Sequence, residues 1–178
     1  MQGKSLACKL FALSRRGGVL EDIVQRLEDC LSFLIGKAQQ QVAKASREAL
    51  LPYGVTPGQF AILKVLWERD GLNGAELCAR LVLDSATVTG LIDRMEAAGL
   101  LERRADPGGD RRMSRVYLTR KGAQFEAPLD AAMDRVNKQF VTALGRDRAA
   151  NLWRDLETLG GVSASERKTS GPVPSRAR

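Results

Sequence analysis

Histidine is absent from these 178 residues, and the chain is sparing with cysteine (three), proline (six) and aromatic side chains (5%). The missing histidine removes the commonest general base and a common zinc ligand. Neither a carboxylate pair in a supporting context nor a phosphate-cradling glycine loop takes its place. Enzymatic chemistry, a cofactor and a bound metal are therefore not expected. Cys8, Cys30 and Cys78 are odd in number, widely spaced and never arranged as CxxC, which disfavours a disulfide framework and a zinc site and fits a reducing cytoplasm. Long apolar runs are missing too. Nothing approaches the roughly 18 residues of a membrane span, and the early stretch KLFALSRRGG, broken by Lys9 and Arg15, makes a poor export signal. A soluble cytoplasmic protein with no membrane partner is the expectation, built on one core or on a small domain with a helical appendage.

The net charge is +7, and its placement says more than its size. Residues 1–20 carry Lys4, Lys9, Arg15 and Arg16 without an acid, and residues 161–178 carry four bases against Glu166, so the two ends hold the whole excess. Both read as mobile basic tails, the second rich in serine and proline. Between them 20 bases face 20 acids. Within that balanced middle one cluster stands out: from Leu101 to Lys121, Arg103, Arg104, Arg111, Arg112, Arg115, Arg120 and Lys121 outnumber Glu102, Asp106 and Asp110.

Apolar residues recurring at three and four from Ile23 to Leu50 (Leu27, Cys30, Leu31, Leu34, Ala38, Val42, Ala45) predict a long amphipathic helix ended by Pro52 and Gly54. Thr56 followed by Pro57 caps a second, strongly apolar helix closed by Gly71. A short helix in GAELCARL buries Leu77, Cys78 and Leu81, and after LVLD another starts at Asp84 or Ser85. The inner face of that helix is Val88, Leu91, Ile92 and Met95, which leaves Ser85, Thr87, Thr89, Asp93 and Arg94 outward until Gly99 supplies a left-handed cap. LLERR and SRVYLT, separated by ADPGGDRRM, predict a hairpin with an arginine-bearing tip. Thr119 can cap a last helical region. Its stripes are Phe125 to Phe140, where Pro128 is a candidate kink, and Leu152 to Leu159, with Gly145 dividing them.

Two short helices joined by a tight turn and followed by a hairpin form a winged helix-turn-helix, in a fold that is mainly α with a small β-hairpin wing. Hydroxyl side chains at the start of the second helix suit base edges and phosphates, and arginines at the hairpin tip suit a narrow, electronegative minor groove. DSATVTGLIDRMEAAGLLERRADPGGDRRMSRVYLTRKG resembles the recognition helix and wing of the MarR family of bacterial regulators, with Asp110, Arg112, Leu118, Thr119 and Gly122 at its wing signature. The likeness covers roughly Leu27 to Gly160. It implies a homodimer on double-stranded DNA, with 21–50 and 120–160 as a helical dimerisation module, 55–119 as the DNA-binding domain, and a small-molecule pocket between module and lobe. The implied DNA contacts are Ser85, Thr87, Thr89, Arg94, Arg104, Asp110, Arg111 and Arg112. Asp110 would orient the wing through Arg112, leaving Arg111 or Arg112 for the minor groove. Gly90 departs from the larger polar residue common in the family, which leaves base preference at that point open.

Simpler roles stand beside these. Ser85 serves equally as a helix cap, Arg94 pairs as readily with a neighbouring acid, and a charged hairpin needs no partner. Phe33, Arg47, Tyr53, Phe60 and Trp67 are the candidate effector contacts, although aromatics on helical stripes more often form core. Cys30 on its apolar stripe fits packing better than thiol sensing: in the branch of the family it resembles that senses hydroperoxides the cysteine sits directly before an aromatic, whereas here Ser32 precedes Phe33. The expected function is a ligand-responsive repressor released by a small anionic aromatic effector or its CoA conjugate. The alternatives are an effector-independent architectural DNA-binding protein and an oxidant-sensing regulator.

Overall fold

A computed structural model of the chain describes residues 26–105 and 114–161, and the fold divides into two units between Ala43 and Lys44. In the first, a 3-10 turn at Leu27–Asp29 precedes the helix α1, Leu31–Leu50, whose residues up to Ala43 belong to this unit. The apolar period is legible from Ile23, yet the helix starts only at Leu31. The Arg26 amide donates to Asp29 Oδ2 at 3.2 Å, which closes the turn, and the extended backbone of Cys30 interrupts the run. Cys30 thus stands before the helix and not in its stripe. Leu31, Leu34, Ile35 and Val42 are exposed.

The second unit opens with the end of α1, where Ser46 and Leu50 are buried. After a 3-10 turn at Leu51–Tyr53, Thr56 caps α2, Pro57–Glu68: its side chain accepts from the Gln59 amide, and the Gln59 side chain accepts from the Thr56 amide. The first helix of the helix-turn-helix is α3, Gly74–Leu81, capped by an equivalent exchange between Asn73 and Glu76. The second is α4, Ser85–Ala97, capped by Asp84. Asp84 therefore settles which residue starts this helix, and Ser85 becomes its exposed first residue.

The wing strands β2, Leu101–Ala105, and β3, Ser114–Leu118, pair antiparallel with Leu101 opposite Leu118 and Ala105 opposite Ser114. A third strand, β1, Leu72–Asn73, adds to the other edge of β3 with Leu72 opposite Val116. Two residues carry no readable alternation, so the sequence gives this strand no signal of its own.

Thr119 caps α5, Arg120–Gln124, as expected. The chain then breaks at Phe125 and not at Pro128. Pro128 lies in the first turn of α6, Glu126–Leu144, where the amide it lacks would have had no helical partner. Gly145 ends α6, and α7, Arg146–Leu159, follows.

Leu50, Val55, Ile62, Leu63, Leu66, Leu72, Leu77, Val88, Ile92, Met95, Leu101, Val116 and Leu129 make the core, drawn from every helix of this unit but α5 and α7 and from all three strands. Four of the side chains α4 buries (Val88, Leu91, Ile92 and Met95) each contribute about 1.5–3 kcal/mol by leaving water, which seats this helix firmly against the unit. A salt bridge ties α2 to α6, with Lys64 Nζ 2.7 Å from Asp130 Oδ2. By contrast Leu152, Trp153, Leu156 and Leu159 on α7 are exposed, and Ala149 is the buried residue of that helix.

Candidate nucleic-acid interface

The outer surface of α4 is set by the burial of its inner one. With Val88, Leu91, Ile92 and Met95 inside, the helical period leaves Ser85, Thr87, Thr89, Asp93 and Arg94 exposed. At the N-terminus, Asp84 Oδ1 accepts from the Thr87 amide at 2.8 Å and Oδ2 from the Thr87 hydroxyl at 2.6 Å. The hydroxyl bond, followed by the amide bond, holds the Asp84 carboxyl below its ordinary pKa. Among the described residues the Ser85 and Thr89 hydroxyls of helix α4 form no hydrogen bond, whereas that of Thr87 is already bonded. Arg94 forms no ion pair among the described residues. Its guanidinium lies beside Gly90, where an added Cβ would come 3.5 Å from Arg94 Nη1.

At its other end α4 is joined to the wing. Gly99 at φ +69° sends its amide to the Glu96 carbonyl at 2.9 Å, and Leu100 sends its own to Met95 at 2.9 Å. Leu100 is also the strand's anchor, because its carbonyl accepts from the Thr119 amide at 3.1 Å, while the Thr119 hydroxyl donates to the neighbouring Gly99 carbonyl at 2.7 Å. Gly122 packs so tightly there that a Cβ would stand 2.2 Å from the Leu100 oxygen. Trp67 Nε1 closes the joint by donating to the Gly122 carbonyl at 3.1 Å. Leu-Thr-x-x-Gly is thus a lock between the recognition helix, the wing and the helices beyond.

The basic cluster is less free than its count implies. Arg103 donates to both Asp93 and Glu96, bridging β2 to the solvent side of α4. Arg104 pairs with Glu102 and lies 4.7 Å over the Tyr117 ring. Arg115 donates to the Gly71 carbonyl at 2.9 Å and approaches Glu76 at 3.5 Å. Lys121 caps the far end of α4 through the Ala98 carbonyl at 2.8 Å. Along the sequence these side chains form one cluster; in the fold they divide among separate partners. Asp110, Arg111 and Arg112 lie outside the described residues, as does any contact between them. The structure thus places Ser85, Thr87, Thr89 and Arg94 on one helix with Arg104 on the adjoining strand. It adds Asp84 and Arg103 as organising residues; the sequence offered Asp84 only as a possible cap and Arg103 only as one base of the cluster.

The candidate effector contacts are dispersed in role. Tyr53, Phe60 and Trp67 are half-buried and packed against the core; Phe60 meets Trp67 edge to face at 6.1 Å between centroids, and Tyr53 meets Phe125 likewise at 6.4 Å. Arg47 is exposed. Phe33, in the first unit, is half-buried with Lys37 Nζ 5.4 Å from its ring centre. Cys30 Sγ is 3.0 Å from Ser32 Oγ, and that hydroxyl, with the amides of Phe33 and Ser32, lowers the thiol below its ordinary pKa.

A capped helix pair, an exposed polar face on its second helix and a strand pair hinged to that helix define a winged helix-turn-helix DNA-binding protein. The sequence profile of the MarR family matches residues 55–113, and the chain belongs to that family of transcriptional regulators. It is 34% identical to the HTH-type transcriptional regulator TtmR of Methylorubrum extorquens over 72% of this chain and 65% of that protein. It is 31% identical to MgrA of Staphylococcus aureus over 73% of this chain and 87% of that one. Among solved structures, a probable transcriptional regulator from Pseudomonas aeruginosa superposes with a TM-score of 0.71 at 30% identity, covering 75% of this chain and 99% of the other. The repressor CouR bound to a 23-mer DNA duplex gives 0.68 at 28%, covering 80% and 99%. CouR from Rhodococcus jostii RHA1 bound to p-coumaroyl-CoA gives 0.65 at 26%, covering 76% and 94%. No helix among the described residues is long and apolar enough to cross a membrane.

Proposed function

We propose that the protein is a homodimeric repressor that occupies a pseudo-palindromic operator and is released by a small anionic aromatic effector or its CoA conjugate, acting by binding and not by catalysis. The observation that carries this reading is α4: a helix anchored by four buried side chains, whose outer surface holds Ser85, Thr87, Thr89 and Arg94. Two such helices, one per protomer, enter major grooves about one turn apart, roughly 10 base pairs. Arg104 and the wing residues Arg111 and Arg112 add phosphate and minor-groove contacts. The exposed stripe of α7 and that of α1 supply the dimerisation module. CouR, which has been solved both on DNA and with an aromatic CoA thioester, is the similarity that favours this effector class. Release requires only that the effector prefer the spacing of the two lobes that cannot span the operator.

The test is fluorescence anisotropy on the DNA upstream of the protein's own coding sequence, against scrambled DNA, for the wild type and for Arg111 and Arg112 both changed to alanine. Selective binding lost in the double variant supports the proposal, and an effector screen follows. Equal weak binding to both DNAs, unaltered by the double change, favours an architectural protein that needs no effector.

Cys30 supports a second reading, control by thiol oxidation, because its thiol is bonded at the start of α1 with a lowered pKa. Under this reading peroxide weakens operator binding by the wild type and not by Cys30→Ser; equal responses in the two remove it.

A further inference from the structure

The Thr87 hydroxyl has one proton, and the fold commits it. Oγ1 donates to Asp84 Oδ2 at 2.6 Å, while the amide of the same residue donates to Asp84 Oδ1 at 2.8 Å. An ionised carboxylate only accepts, so Asp84 has no proton to give back. What Thr87 turns toward solvent is an oxygen with lone pairs. Ser85 and Thr89, equally exposed on the same helix, form no such bond among the described residues and keep both options.

In the major groove adenine offers the N6 amino group and cytosine the N4 amino group as donors, whereas the guanine and thymine edges offer acceptors alone. We infer that Thr87 reads an amino-bearing base, adenine or cytosine, because Asp84 fixes its hydroxyl as an acceptor. This deepens the operator assignment above and rests on α4 being the helix that enters the major groove. Guanine O6 or thymine O4 at that position would set oxygen against oxygen, with no proton between them. Asp84 is a positioning residue here: it determines what Thr87 can recognise. The arrangement also explains why a carboxylate is tolerated beside DNA. Its two oxygens are engaged by the amide and the hydroxyl of Thr87 within the helix.

The assignment is tested by affinity selection from randomised duplexes with the full-length wild type, Thr87→Val and Asp84→Asn. Asparagine keeps a cap oxygen for the Thr87 amide. Its NH2 group can then donate to Thr87 Oγ1, which releases the hydroxyl proton outward. The wild type should fix one base pair per half-site whose adenine or cytosine Thr87 reads; Thr87→Val should lose the preference there and nowhere else; Asp84→Asn should change it. Replacing that adenine by unsubstituted purine, or that cytosine by 2-pyrimidinone, should weaken the wild type about tenfold and Thr87→Val little. The inference is overturned by wild-type binding that survives removal of the exocyclic amino group at the Thr87-dependent pair, by an unchanged consensus in Thr87→Val, or by Asp84→Asn selecting the wild-type base pair. A wild type that selects no sequence at all overturns the operator assignment itself, and the two failures are thereby distinct.

Discussion

Val82 is the non-glycine residue with a positive φ among those described, +54°, at the turn between α3 and α4. Its branched side chain is 90% exposed, so it gains almost nothing from packing while bearing the clash of Cβ with the following carbonyl. Asparagine tolerates this left-handed conformation without the unfolded-state entropy that glycine adds. Val82→Asn should therefore stabilise the protein by roughly 0.5–1 kcal/mol. In a urea titration the midpoint should rise at constant slope, and an unchanged or lower midpoint would show that the turn is not strained. Residue identity matters at Gly122 for the opposite reason, lack of space. Gly122→Ala drives a methyl against the Leu100 carbonyl, itself held by the Thr119 amide, while the Thr119 hydroxyl holds the adjoining Gly99 carbonyl, so neither side can yield. A loss of about 1–3 kcal/mol is expected, read as a fall in the same midpoint.

Between elements, the junction of α4 with the wing is the telling one. Arg103 reaches from β2 to Asp93 and Glu96, both on the solvent side of α4. Being partly exposed, these pairs are worth under about 1 kcal/mol to folding. Their weight for DNA is larger, because removing the guanidinium leaves two carboxylates facing the phosphates. Arg103→Ala should lower operator affinity by about fivefold at low salt, with the deficit shrinking as salt rises, and should leave the unfolding midpoint nearly unmoved. A parallel loss of stability and affinity would instead make Arg103 a packing residue. The partition of the remaining bases has the same logic. Arg115 and Lys121 serve carbonyls and a buried edge of the wing, so charge counting overstates what DNA can meet.

For the whole molecule, the question is what covers α7. Leu152, Trp153, Leu156 and Leu159 are 39–58% exposed along one helix, more apolar area than an isolated surface helix usually leaves to water. We propose a second copy of the chain as the occupant, as the homodimeric reading above requires. Leu156→Glu should shift sedimentation from dimer to monomer and weaken binding to a two-site duplex at least about 100-fold, while single half-sites are bound weakly by both proteins. A Leu156→Glu protein that remains a dimer would move the dimer interface elsewhere.

Local chemistry made much of this protein legible in its sequence. The Thr56-Pro57 start, the Gly99 stop, the inward spacing of Val88, Leu91, Ile92 and Met95 and the Thr119 cap all act within one or two turns, so the sequence alone determines them. Ser85, Thr87, Thr89 and Arg94 followed as the complement of that buried set. Tertiary structure decided what depends on residues distant in sequence: the short strand at Leu72, the bridge from Arg103 to α4, and the collision that makes Gly122 obligatory against Leu100. It also gave the cap to Asp84 rather than Ser85, two options the sequence left equal, and put the helix break at Phe125 where the sequence offered Pro128 as a kink. The physical reason is range. Caps and periodicity are settled by hydrogen bonds and burial a few residues apart, whereas a charge's partner, a strand's neighbour and the space around a glycine exist only once the chain has folded back on itself.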